Sequence, residues 1–155
     1  MYKSASGKTL TKKQLIQEII NFMRADKQRL YRISIGTDSE DRLNEADFAV
    51  AIVVHRVGRG GRYFWRRKTF PRFHTLRDQV IQEALLSLET AREILTTLKT
   101  YQVPKFDFEV HVDIGEKGET KEMIQEVLGM IRAYHFQPKI KPESYTASNV
   151  ADRHV

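Results

Sequence analysis

Between residues 31 and 70 the chain carries three β-type runs joined by links too short for anything but hairpins. YRISIGTDSE (31–40) places Ile33 and Ile35 on one face and ends in Gly36-Thr37-Asp38. FAVAIVVH (48–55) is an almost unbroken run of β-branched and small residues, and RYFWRRKTF (62–70) mixes aromatics with arginines. A polar turn over 41–45 and the glycines Gly58, Gly60 and Gly61 separate them. Such spacing reads as an antiparallel meander. The third run has arginines and aromatics on both faces, which suits an exposed edge strand guarded by charge.

Beyond Pro71 the period changes. Thr75 is placed to cap a helix over 76–100, with the apolar stripe Leu76, Val80, Ala84, Leu88, Ala91, Leu95 and Leu98. FDFEVHVDIG (106–115) then alternates as a fourth strand and delivers Asp113 at its end. A helix over 119–135, a short strand over 136–140 and a last helical turn over 149–155 complete the chain. Ahead of the meander, residues 1–10 read as polar and loose. Thr11 opens an appended helix over 11–27, with Leu15, Ile16, Ile19, Ile20 and Met23 at helical spacing. Gly7-Lys8-Thr9 lacks the earlier glycine of a phosphate loop, since position 2 is Tyr. The order predicts one mixed α/β domain over residues 1–155. Its five-stranded mixed sheet has strand order 3-2-1-4-5, because right-handed crossovers lay the fourth strand beside the first.

Composition bounds the chemistry. The 155 residues include no cysteine, which excludes thiol catalysis, disulfides and cysteine-ligated zinc. No apolar run approaches the roughly 18 residues of a membrane span, and the N-terminus lacks a signal-peptide core, so a cytoplasmic protein is expected. The net charge of +6 favours polyanionic partners, nucleic acid first.

With strands one and four adjacent, Asp38 and Asp113 stand about 5 Å apart at one end of the sheet. Carboxylates that close repel, which favours a divalent cation or a raised pKa. Oxygen donors without sulfur suit Mg²⁺ or Mn²⁺. The alternative is that each acid simply ends a strand in solvent. On the long helix Glu83 lies at the border of the apolar stripe and can reach over the sheet, whereas Glu89 and Glu93 lie on the polar face. The last turn offers Asp152.

The order of elements, with acids on the first strand, the long helix, the fourth strand and the terminal helix, resembles the ribonuclease H-like superfamily. The segments GTDSE, HVDIGEKGETKE and KPESYTASNVADRH are similar to the bacterial YkuK family within it, from about residue 30 onward. This resemblance implies a two-metal nuclease that hydrolyses phosphodiester bonds, with Asp38, Glu83, Asp113 and Asp152 as catalytic and metal-binding residues and two Mg²⁺ or Mn²⁺ ions. It implies that Asp38 bridges both ions, Glu83 and Asp113 share one, and Asp152 serves the other. The His-bearing loop of ribonuclease HI is replaced by Lys141-Pro142-Glu143-Ser144, which leaves Lys141 or His154 as auxiliary groups.

Arg62, Trp65, Arg66, Arg67 and Lys68 are the candidate nucleic-acid contacts, since guanidinium groups pair with phosphates and aromatic rings stack on bases. RNA, DNA and hybrid substrates stay equally open. His111 shares the face of Asp113, and its commoner role is that of a buried, satisfied histidine. Two other functions remain: a non-catalytic nucleic-acid-binding module of the same fold, or an actin-like nucleotide-binding ATPase using the turn Gly115–Lys121 as a phosphate cradle.

Overall fold

A computed structural model describes residues 1–115, 118–141 and 145–155. The N-terminal segment, expected to be loose, is a small hairpin of β1 (Tyr2–Ser4) and β2 (Thr9–Leu10). Gly7, at φ 86°, turns it, and its N–H donates to the Ser4 carbonyl at 2.9 Å. Tyr2 and Leu10 pair across the hairpin and are both buried. Strands of two and three residues are too short to show an alternation, so the pattern of residues 1–10 concealed them.

Helix α1 (Lys12–Arg24) begins with a capping box: the Gln14 N–H donates to Thr11 Oγ1, and the Gln14 side chain accepts from the Thr11 N–H. Leu15, Ile16, Ile19, Ile20 and Met23 are almost wholly buried in the same core as the sheet, each such burial contributing about 1.5–3 kcal/mol.

The meander comes next as β3 (Tyr31–Asp41), β4 (Glu45–Arg56) and β5 (Gly61–Pro71), antiparallel throughout. Helix α2 (Leu76–Leu98), capped by Thr75, crosses over to β6 (Phe106–His111), which pairs parallel to β3. A 3₁₀ turn (Lys121–Met123) leads into α3 (Ile124–Ala133), then β7 (Gln137–Lys139), parallel to β6, and α4 (Tyr145–Asp152). The sheet therefore has seven strands in the order β2-β1-β5-β4-β3-β6-β7. It departs from the five-stranded expectation in count and overall order, because the N-terminal hairpin joins β5. That strand is consequently no edge. Other bounds shift as well: β6 stops at His111 short of Asp113, the third helix begins later, and α4 begins earlier and ends at Asp152.

The two faces of the sheet differ. On one, Ile33, Ile35, Phe48, Val50, Ile52 and Val110 meet α1, α2 and α3 in a continuous core. Leu76, assigned to the apolar stripe of α2, is exposed, whereas Leu86, Ser87, Thr90 and Ile94 are buried. On the other face α4 packs through Ala147, Val150 and Ala151 against Ala49, Ala51 and Val53. Gly36 makes that packing possible. A Cβ there would lie 3.0 Å from both Ala147 Cβ and the Ser148 nitrogen.

Candidate active site

Strand alternation distributes the polar groups of β3. Ser34, Gly36 and Asp38 point to the α4 face, while Thr37 and Ser39 point to α2. Thr37 Oγ1 and Ser87 Oγ hydrogen-bond at 2.7 Å. Ser39 Oγ donates to the Glu83 carboxylate and accepts from Gln79 Nε2 at 2.9 Å. Gln79 and Glu83 are one helical turn apart, so the helix presents both to the same strand residue. Ser39 and Gln79 escaped the sequence reading, although the alternation around Asp38 and the i, i+4 spacing from Glu83 mark both.

Asp38 is half-buried beside Asp152 at the end of α4, where the two carboxyls can share a proton in a hydrogen bond. Burial first, then this hydrogen bond and the charges of Asp152 and Asp113, push the Asp38 carboxyl up to about 7, against a lowering contribution from the Ser39 N–H. Glu83, also half-buried, is pushed up to about 8, chiefly by burial and then by the charges of Asp38 and Asp113, while the Ser39 hydroxyl opposes the rise. All four acids therefore share one electrostatic neighbourhood. They do not form a closed cage: among the described residues, no three His, Asp or Glu side chains are gathered tightly enough to hold an ion as they stand.

Asp113 is the outlying member. The β3–β6 ladder ends at the Gly36–His111 pair, so Asp113 lies two residues beyond it. Its carboxylate pairs with Lys141 Nζ at 2.9 Å, and both side chains are substantially exposed. The lysine reaches it by lying across Gly115, where a Cβ would come 3.1 Å from Lys141 Cβ. Lys141, named from the sequence as an auxiliary group, is bound to one of the acids. Residues 142–144 of the loop lie outside the described residues, as do Glu116 and Lys117 of the candidate phosphate turn.

His111 ties α4 to the sheet. Its Nδ1 accepts the Ala147 N–H at 3.4 Å, so the proton resides on Nε2, which donates to Glu109 at 3.1 Å. Burial holds its pKa below the ordinary histidine range and keeps it neutral. Glu109 is itself buried, with Arg32 at 3.9 Å and Lys139 at 4.0 Å. This buried polar pair absorbs one of the free N–H groups at the start of α4.

The five candidate contacts of β5 divide between the faces. Arg62 lies 4.8 Å above the Phe22 ring, Arg66 lies over Tyr2 and donates to Thr90 Oγ1 at 3.0 Å, and Lys68 lies over Phe70, all on the side of α1 and α2. Trp65 and Arg67 lie on the α4 side. The Trp65 ring stacks on His154 at 4.1 Å, and Arg67 donates to the carbonyls of His154 and Val155. The structure does not bring these five residues into one surface.

Among the described residues, no helix is long and apolar enough to cross a membrane.

The chain is 35% identical to the uncharacterized protein YkuK of Bacillus subtilis (strain 168) over 164 aligned residues, covering 99% of this chain and 95% of that protein. Ribonuclease H1 of Halobacterium salinarum NRC-1 superimposes with a TM-score of 0.40 at 16% identity, over 80% of this chain and 99% of that one. NurA bound to dAMP and manganese superimposes with a TM-score of 0.34 at 12% identity, over 66% of this chain and 29% of that one. The ribonuclease H-like family profile matches residues 14–155, and with YkuK as a near full-length relative the chain belongs to the ribonuclease H-like family.

Proposed function

We propose that the protein is a divalent-metal-dependent nuclease whose site is built on Asp38, Glu83, Asp113 and Asp152. The observation that carries this reading is the pair of half-buried carboxyl groups, Asp38 and Glu83, whose pKa values are raised to about 7 and 8 at the junction of β3, α2 and α4. The charges acting on them are those of other acids, Asp152 and Asp113 on Asp38, and Asp38 and Asp113 on Glu83.

An all-oxygen donor set of this kind fits Mg²⁺ or Mn²⁺. Asp38 and Asp152 would hold one ion from the α4 side, with Asp38, Glu83 and Asp113 holding the other. Bound there, two ions supply Lewis acidity and an activated water for phosphodiester hydrolysis. The chain's own groups do the rest. Ser39 and Gln79 orient the Glu83 carboxylate from the α2 side. The His111–Glu109 pair and the Gly36 contact hold α4, and with it Asp152, against the sheet. Lys141, paired with Asp113, is placed to meet a phosphate oxygen once that bond opens. NurA, a neighbour at low similarity, is seen with manganese and a deoxynucleotide.

Incubation with Mg²⁺ or Mn²⁺ and a panel of RNA, DNA, hybrid and branched substrates tests the proposal. Cleavage that requires the ion and disappears in Asp38→Asn is the expected result. Absence of cleavage on every substrate, or equal cleavage by Asp38→Asn, would sink it. The Lys141–Asp113 pair favours a second reading, a nucleic-acid-binding module without catalysis, because that pair already neutralises one acid. This reading predicts salt-dependent binding that survives Asp38→Asn.

A further inference from the structure

Helix α4 has only eight residues and ends at Asp152, so the placement of that side chain depends on what holds the helix end. The residues beyond Asp152 are held by β5. The Trp65 ring lies against the His154 imidazole at 4.1 Å with 9° between the planes. Tyr63 and His154 share a hydrogen bond between Oη and Nε2 at 3.3 Å. The Arg67 guanidinium donates from Nε and a terminal nitrogen to the His154 carbonyl at 3.1 and 2.7 Å, and to the Val155 carbonyl at 2.9 Å. The His154 N–H in turn donates to the Ala151 carbonyl at 2.9 Å, which carries the restraint back into the last turn of α4. In the register of the sheet, Asp38 pairs with Ala49, and Ala49 pairs with Arg67. The strand that carries the clamp is thus two places from the strand that carries Asp38, on the same face and in the same row.

We propose that Tyr63, Trp65 and Arg67 are positioning residues: they clamp residues 154–155 and so hold the Asp152 carboxylate against Asp38, which makes cation binding at the acids depend on the clamp. The link to the cation rests on the nuclease reading; the clamp itself does not. A guanidinium on carbonyl oxygens just past a helix end also opposes the negative pole of the helix. The aromatic and basic residues of this face, which by type suit nucleic acid, are engaged by the chain's own residues.

The experiment has two arms on the full chain. In the first, amide hydrogen exchange over residues 149–154 is measured without divalent ions in the wild type, Arg67→Ala, Arg67→Lys, Trp65→Phe and Trp65→Ala. Protection should fall about tenfold in the two alanine variants, as for loss of charge-assisted bonds or of a stacked ring. Trp65→Phe should stay near wild type and Arg67→Lys should fall between. Trp65→Ala and His154→Ala should be non-additive, since they remove the same stack. In the second arm, Mg²⁺ binding is followed by calorimetry and should weaken about tenfold in Arg67→Ala. Protection in α1 and α2 reports whether each variant is folded.

Unchanged protection over 149–154 would overturn the clamp. Lost protection with unchanged Mg²⁺ affinity would overturn its positioning role. A wild type that binds no Mg²⁺ would instead overturn the nuclease reading and the link to the cation, while exchange would still judge the clamp.

Discussion

The two faces of the sheet are built to different rules. The face toward α1, α2 and α3 is filled with large interlocking side chains such as Phe48, Ile52, Leu86, Leu88 and Ile94. The face toward α4 is lined with Gly36, Ala49, Ala51, Ala147 and Ala151, so the helix backbone rests almost on the strands. The first arrangement buries much apolar surface and stabilises the fold. The second buries little and sets distance: it brings Asp152 to Asp38 and leaves room for polar groups between. The carboxylates sit where the two regimes meet, Glu83 reaching from the stable side and Asp152 from the lightly held one.

The contrast can be broken first on the stable side. Ile52→Ala should cost about 2–5 kcal/mol in urea unfolding, because the packed neighbours cannot close around the cavity. Cation binding by the folded fraction should be unaffected. Gly36→Val attacks the other side. Its added atoms would collide with Ala147 and the Ser148 nitrogen, an overpacking cost of about 1–3 kcal/mol. Hydrogen exchange should show α4 released while α2 stays protected, and stabilisation by Mg²⁺ should vanish. An intact α4 in that variant would contradict the account of the thin face.

The third prediction concerns pH. The carboxyls of Asp38 and Glu83 have folded pKa values of about 7 and 8, above their unfolded values, so the folded state binds protons more tightly. Their contribution to stability is fully present below the unfolded pKa and is lost as pH rises through the folded values. The melting temperature of the ion-free protein should therefore fall from about pH 4 to pH 8. Asp38→Asn with Glu83→Gln should flatten that decline, and Mg²⁺ should reverse it only in the wild type. A melting temperature independent of pH and of Mg²⁺ would remove the electrostatic basis of the site.

The smallest expected effect is at Lys141. Its pair with Asp113 is exposed, so Lys141→Gln should change stability by about 0–1 kcal/mol. The same change frees the Asp113 carboxylate, and calorimetry should show tighter Mg²⁺ binding than in the wild type. Weaker binding would mean that the lysine assists the ion rather than opposes it.

Much of the fold was legible because it rests on local period. Strands β3, β4 and β5 were visible from their apolar runs and glycine turns, and α1 and α2 from their stripes and threonine caps. Asp38, Asp113 and Asp152 were singled out by positions at or near element ends, and Glu83, inside α2, by its place at the border of the apolar stripe. The N-terminal hairpin was not legible, since residues 2–4 gain strand geometry by pairing with β5 and residues 9–10 by pairing with residues 2–3. Nor was the fate of Trp65 and Arg67, whose residue types suit nucleic acid equally well.

The sequence by itself determined most of the strands and helices, that no cysteine is available as a ligand, and that Asp38, Asp113 and Asp152 lie near element ends. These features come from spacing and side-chain chemistry within a few residues. Only the tertiary structure decided that Asp38 meets Asp152 while Asp113 meets Lys141, that Ser39 holds Glu83, and that β5 grips residues 154–155. Each of these joins residues far apart in the chain. The meeting of Asp152 with Asp38 and the grip of β5 depend on how closely α4 can approach a strand at Gly36, and no local pattern encodes that approach.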